Sequence, residues 1–284
     1  MRVHAASLIP ADWHFVRGVP VLVRLLTGPG RPASPSVLAS DLAGRVKAAG
    51  ANVSRFRPGD AVFGRTRTGH RPDRPAPVSS GGCAEFACVV EDLLVPKPGN
   101  LSFEEAAAVP LAGLTALQAL RDAGRIQPVQ QVLVNGASGG VGTFAVQLAT
   151  SFGAQVTGVC SARNLELVRA IGADHVIDYT QEDFTGGGRQ YDLIVDTVDR
   201  SLPDLRRAPT ARGTLVLVGG SPAGGLVRAY QARPVTVVSQ QLRPFLTRWN
   251  RQDLNLLKEL AEAGKLTPVI DRAYPLNEAA GAAD

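Results

Sequence analysis

From Gln131 onward the chain alternates short apolar runs with longer amphipathic stretches. Gln131–Val134, Gln155–Cys160, His175–Ile177, Leu193–Asp196, Thr214–Val218 and Val235–Ser239 read as strands. Helix-like stretches such as Thr143–Phe152 and Leu165–Ile171 fall between them. Strand and helix in turn predict an α/β fold with a doubly wound parallel sheet. Residues 1–100 have another texture, β-rich and irregular. Apolar runs at Val21–Leu26, Gly44–Ala48, Asp60–Phe63 and Ala84–Val90 are divided by Gly/Pro clusters, and Gly69–Gly82 is expected to be an exposed loop. Ser102-Phe103-Glu104-Glu105 starts an Ala-rich helix, read as a capping box lacking the ideal spacing, and a second helix is expected over Leu114–Asp122. Near the end, Gln252–Ala263 sets Leu254, Leu257 and Leu260 on one helical face.

The length, 284 residues, gives room for two domains. With 45% hydrophobic residues and a mean hydropathy of +0.04, the composition is that of a globular protein. No run is apolar enough to span a membrane, and the first residues lack a secretory hydrophobic region. Cys83, Cys88 and Cys160 make no disulfide framework, so a reducing cytoplasmic location is expected. The net charge of +5 raises the question of nucleic acid. The basic residues are scattered, however, and the dense stretch Arg55–Arg74 is interleaved with Pro, Gly and Thr in place of stacking aromatics. It reads as a solvated loop, with neither nucleic acid nor membrane as partner.

Candidate chemistry sits between the first two predicted parallel strands. Asn135–Gly142 reads NGASGGVG, with Ala137, Gly139 and Gly142 on the three glycine positions of a dinucleotide fingerprint. Gly139 lets a pyrophosphate approach the backbone, and Gly142 lets the helix pack close to the strand. About 20 residues on, sites that prefer NADH place a carboxylate for the ribose 2′-hydroxyl. Here Cys160 is followed by Ser161, Ala162, Arg163 and Asn164. Ser161 and Arg163 can bind a 2′-phosphate, which predicts NADPH. Alternatively, Ser161 and Asn164 cap the following helix.

Together with AASLIPADW (5–13), SDLAG (40–44), FRPGDAVFG (56–64), LAGLTA (111–116), GADHVIDY (172–179) and ARGTLVLVG (211–219), these residues make the chain resemble the medium-chain dehydrogenase/reductase superfamily, in its zinc-independent quinone oxidoreductase-like branch. The resemblance implies a GroES-like β-barrel catalytic domain over 1–112, a Rossmann domain over 113–245, a return to the catalytic domain over 246–284, and a cleft for NAD(P)H and substrate. It further implies truncation at both ends, with barrel edges left open, and association as a homodimer. The implied activity is hydride transfer to a quinone or an activated C=C, with proton delivery from solvent or a nearby acid.

Site residues follow from the same resemblance. Ala137, Ser138, Gly139, Gly140 and Val141 would form the pyrophosphate loop, and Ser161 and Arg163 the 2′-phosphate site. Tyr179 would lie by the adenosine phosphate, or be a plain surface aromatic. Thr115 would help position the nicotinamide, or cap a helix. Gly219 and Ser239 would line the nicotinamide pocket. His14 is the candidate proton donor, or a turn histidine. Zinc-dependent relatives use a Cys, a Gly-His-Glu and a later Cys where this chain has Ile9, Ala39-Ser40-Asp41 and Leu111, so no metal is expected. Cys83 and Cys88 read as half-buried structural thiols, too few for a second zinc. Ile9 also replaces an Asn that many relatives present to the nicotinamide. Two other readings stay open: a catalytically weak NADPH-binding relative, and a zinc-free alcohol dehydrogenase.

Overall fold

The computed structural model describes residues 1–9, 38–66, 81–186, 188–198, 200–218 and 240–279. They divide into two compact units, one made of Met1–Leu114 with Arg248–Asp284 and the other of Thr115–Thr247.

In the first unit β1 (Arg2–Ser7), β2 (Asp41–Arg45), β3 (Ala61–Arg65) and β4 (Leu94–Pro96) form an antiparallel sheet in chain order. Leu42, Val46, Phe56, Val62, Ala87 and Leu94 make its core. β1 is not left bare on its outer side. Val3 N–H donates to Glu85 O at 2.9 Å, Ala87 N–H to Met1 O at 3.1 Å, and Arg2 bridges Phe86, so the run Ala84–Val90 contributes pairing to the edge. Val21–Leu26 and most of Gly69–Gly82 lie outside the described residues. Gly82 itself is buried, and a Cβ there would stand 3.0 Å from Asp41 O, so this end of the expected loop is packed instead of exposed.

Helix α1 (Phe103–Ala108) begins in a complete capping box. Glu105 N–H donates to Ser102 Oγ at 3.1 Å, and Ser102 N–H donates to Glu105 Oε2 at 2.7 Å. The three-residue spacing is therefore the ideal one, a correction to the sequence reading. The next helix, α2 (Pro110–Gln118), starts earlier than the expected Leu114 and passes into a π-turn at Ala119–Ala123. At the other end of the chain, Asn250 Oδ1 accepts from Gln252 and Asp253 N–H to cap α6 (Arg251–Glu262). Leu254, Leu257 and Ala261 are buried on this helix, whereas Leu260 stays partly exposed. Asn100 Nδ2 to Ala261 O (2.8 Å) and Trp249 Nε1 to Asp92 O (3.1 Å) fasten the returning segment to its unit.

The second unit is built on a fully parallel sheet, β10-β9-β8-β5-β6-β7, from β5 (Gln131–Asn135), β6 (Gln155–Cys160), β7 (His175–Asp178), β8 (Tyr191–Asp196), β9 (Pro209–Val218) and β10 (Gln241–Phe245). The run Val235–Ser239 lies outside the described residues, and the observed sixth strand is Gln241–Phe245. Helices α3 (Gly140–Ser151), α4 (Leu165–Ala170) and α5 (Leu202–Leu205) connect the strands. Val132, Leu133 and Val134 on β5, and Leu193, Ile194 and Val195 on β8, are all buried. Burial on both faces explains why these strands are continuous apolar runs without alternation. Strand order reverses between β5 and β8, so their C-terminal ends define the switch point where an open parallel sheet binds ligands.

Candidate dinucleotide site

β5 ends at Asn135, and four residues later Gly139 stands as the N-cap of α3. The tight turn between them is made at Gly136, whose φ of +86° lies in the left-handed region. A Cβ at Gly136 would also come within 2.4 Å of Thr197 Oγ1. The turn glycine is therefore Gly136, one residue before Ala137, to which the fingerprint reading gave that place. Ala137 is fully buried instead. Its N–H and that of Gly136 donate to Val159 O at 2.9 and 3.1 Å, which pins the turn to β6.

At Gly142 a Cβ would lie 2.0 Å from Gly136 O, so glycine is required for the helix to approach the turn. Gly139 is different. Its φ of −80° suits any residue, and a Cβ would meet Gly136 O at 3.3 Å; at Gly140 a Cβ would meet nothing within 4 Å. Both are exposed. The loop thus leaves open space over the first turn of a twelve-residue helix, where the amides of Gly140, Val141 and Gly142 have no acceptor within the helix. This cradle fits a pyrophosphate.

The turn is held from below. Asn135 and Asp196 stand opposite each other in the β5–β8 register, and Asn135 Nδ2 donates to the buried Asp196 Oδ1 at 2.7 Å. Thr197 sends its N–H (3.1 Å) and its hydroxyl (2.8 Å) to Asn135 O. Sequence reasoning missed this clamp. A carboxylate closing the apolar strand Tyr191–Asp196 was the available signal.

The neighbouring strand end adds a second polar group. Asn164 Nδ2 donates to Ser138 Oγ at 3.0 Å and to Ser161 Oγ at 3.4 Å, so one amide joins the glycine loop to the end of β6. Neither Ser161 nor Asn164 makes a side-chain capping bond, which corrects the capping alternative for that pair. Arg163 is exposed in the same turn. Just before it, burial first and then Asp178 push the Cys160 thiol above its ordinary pKa, so Cys160 remains neutral at the sheet end. Tyr179 N–H donates to Cys160 O at 3.2 Å, which sets the exposed Tyr179 ring at the C-terminal end of β7.

Thr115 lies within α2, not at a helix end, and its hydroxyl meets that of Thr247 at 2.6 Å. His14, Gly219 and Ser239 fall outside the described residues. At the positions the resemblance assigned to zinc ligands, Asp41 is buried, faces Arg65 Nε at 3.1 Å and accepts from Leu111 N–H at 2.5 Å. Among the described residues no group of three His, Cys, Asp or Glu side chains is placed to hold a metal. Cys83 is partly buried and Cys88 exposed, so the expected half-buried pair is half right.

A doubly wound parallel sheet with an open glycine turn at its switch point defines a dinucleotide-binding protein. Residues 1–99 match the alcohol dehydrogenase GroES-like domain family, and residues 171–284 match the zinc-binding dehydrogenase family. A chloroplast envelope quinone oxidoreductase homolog from Arabidopsis thaliana is 33% identical over 290 residues, covering 98% of this chain and 83% of that protein. A 2-methylene-furan-3-one reductase from Solanum lycopersicum is 34% identical over 245 residues, covering 86% and 58% respectively. The quinone oxidoreductase from Coxiella burnetii superposes with a TM-score of 0.81 at 31% identity, covering 99% of this chain and 84% of that one. The chain belongs to the medium-chain dehydrogenase/reductase superfamily, in its quinone oxidoreductase-like branch. It is a nicotinamide-dependent oxidoreductase with a small-molecule substrate. No helix among the described residues is long and apolar enough to cross a membrane.

Proposed function

We propose that this chain is an NADPH-dependent reductase of quinones or activated C=C bonds that works without zinc. The observation that carries the cofactor choice is the end of β6. Ser161 and the exposed Arg163 follow it where a carboxylate would select NADH, and Ser138 is tied to the same turn through Asn164. The backbone of Ser138, Gly139, Gly140 and Val141 is assigned to the pyrophosphate, with Ala137 packed behind it. Ser161 and Arg163 are assigned to the 2′-phosphate, Tyr179 to the adenosine side and Thr115 to the nicotinamide side.

When bound, the nicotinamide would supply a hydride to the quinone or activated C=C, the balancing proton coming from solvent or a nearby acid. The chain's own part is to hold the dinucleotide through loop amides and the Ser161–Asn164 turn, with the orientation fixed before reaction. The zinc-free reading rests on ligand chemistry. The side chains of Ile9 and Leu111 have no ligand atom, Ser40 stands where an imidazole is needed, and the Asp41 carboxylate is committed to Arg65 and the Leu111 amide. The quinone and enone substrate classes rest on the names of the Arabidopsis and tomato relatives.

The test is NADPH and NADH oxidation against a panel of quinones and enones, beside direct cofactor titration and elemental analysis. Turnover with NADPH, unaffected by chelators and with no stoichiometric zinc, supports the reading. Tight NADPH binding without turnover on any substrate favours the NADPH-binding relative, for which apolar Ile9 is the motivating residue. One zinc per chain, or turnover abolished by chelation, rejects the metal-free mechanism.

A further inference from the structure

The Asn164 amide has a consequence for the two serines it joins. A hydroxyl has one proton and two lone pairs, whereas an amide nitrogen can only donate. Because Asn164 Nδ2 donates to both Ser138 Oγ and Ser161 Oγ, each serine is an acceptor toward Asn164. Neither hydroxyl proton is used in that contact, so both are left to donate to an anion. The two serines come from different strand ends, Ser138 after β5 and Ser161 after β6, and all three side chains are partly accessible. Arg163 is exposed one residue before Asn164. Two hydroxyl donors and a guanidinium make a donor set suited to phosphate oxygens.

We propose that Asn164 is the positioning residue for 2′-phosphate recognition, holding Ser138 and Ser161 as acceptors so that both hydroxyls donate to that phosphate. This rests on the NADPH reading above. Asn164 does not act by capping the helix that follows it, since its side chain makes no capping bond. Asparagine and aspartate are equivalent helix caps, but their polarity toward a hydroxyl is opposite. A carboxylate at position 164 would accept from the serines, turn their protons inward and set a negative charge beside the phosphate.

The experiment is titration of wild type, Asn164→Asp, Asn164→Ala and Arg163→Ala with NADPH, NADH, adenosine 2′,5′-bisphosphate and AMP, with thermal melting of each variant. Asn164→Ala should weaken NADPH and the bisphosphate by about tenfold, the scale of one lost hydrogen bond to a charged group, and leave NADH and AMP nearly unchanged. Asn164→Asp should lose roughly a hundredfold for the 2′-phosphorylated ligands while melting as wild type does. Asn164→Asp that binds NADPH as wild type does overturns the proposal, and so do equal losses for phosphorylated and unphosphorylated ligands. If Arg163→Ala abolishes the 2′-phosphate preference while both Asn164 variants keep it, the NADPH reading stands and the role of Asn164 falls. Wild type that binds the bisphosphate no tighter than AMP removes the NADPH reading, and this proposal with it.

Discussion

Two valine substitutions, three residues apart at the start of α3, should separate binding from folding. At Gly139 the backbone is extended, with φ −80° and ψ 170°, and a Cβ stands 3.3 Å from Gly136 O, its one near neighbour. Gly139→Val therefore needs a shift of a few tenths of an ångström. Its main folding cost is a poorer N-cap, roughly 1 kcal/mol. At Gly142 a Cβ would lie 2.0 Å from Gly136 O and 2.8 Å from Ala137 Cα, backbone atoms that cannot rotate away. Gly142→Val forces the helix off the turn, an overpacking cost of about 3 kcal/mol or more. At about 2–4 °C per kcal/mol, the melting temperatures of the two variants should differ by several degrees, with Gly142→Val the lower. Binding should respond differently. The valine at position 139 occupies the space open to a pyrophosphate, and two lost charge-assisted hydrogen bonds at about 1.5–3 kcal/mol each exceed a hundredfold in affinity. Circular dichroism melts beside fluorescence titration with NADPH measure both quantities. A folded Gly139→Val protein that binds NADPH within about threefold of wild type would refute the phosphate cradle, because that is less than one such hydrogen bond.

Arg163→Ala should weaken NADPH by about 1.5–3 kcal/mol and leave NADH nearly unchanged; equal losses by titration would remove Arg163 from the phosphate site. Asp41→Ala leaves the Arg65 guanidinium buried without its carboxylate and should cost about 3–5 kcal/mol in chemical denaturation, whereas a loss below about 1 kcal/mol would mean the pair is solvated. The Glu262 carboxyl is held below its ordinary pKa, first by Lys258 and then by the Gly99 amide. Its folded-state pKa is thus lower than the unfolded one. The stabilisation is present above the ordinary value of 4.5 and disappears as pH falls through the depressed value. Glu262→Gln should remove that part of the acid sensitivity, worth under about 1 kcal/mol for so exposed a group, and an unchanged stability profile from neutral pH to about pH 3 would contradict it.

The legible parts of this molecule were those set by local pattern. β5 and β6 are buried on both faces, so their apolar runs marked them to within a residue. The glycine loop was readable because its chemistry is contiguous. β4, at three residues, was too short to leave a pattern, and the strand at Gln241–Phe245 alternates polar and apolar residues weakly enough to be passed over. The contacts beneath the site were not legible for another reason. Asn135 meets Asp196 across 61 residues and Asn164 meets Ser138 across 26, and nothing in the spacing of two polar residues reveals that they share a strand end. Gly136 was overlooked as the turn residue because it stands one position before the fingerprint's first place, which Ala137 fills.

The clamp that Asn135, Asp196 and Thr197 place under the turn has a kinetic consequence. A loop tied to two strands has little to rearrange when a ligand arrives, so association should be a single step limited by encounter and orientation. In stopped-flow mixing, the observed rate should rise linearly with cofactor concentration without reaching a plateau. Differences in affinity between cofactors, or between variants of the surrounding side chains, would then reside in how long the complex lasts and not in how fast it forms. Loosening the clamp with Asn135→Ala should reverse that, making the forward step slow and saturable while the finished complex, once closed, departs at nearly the original rate.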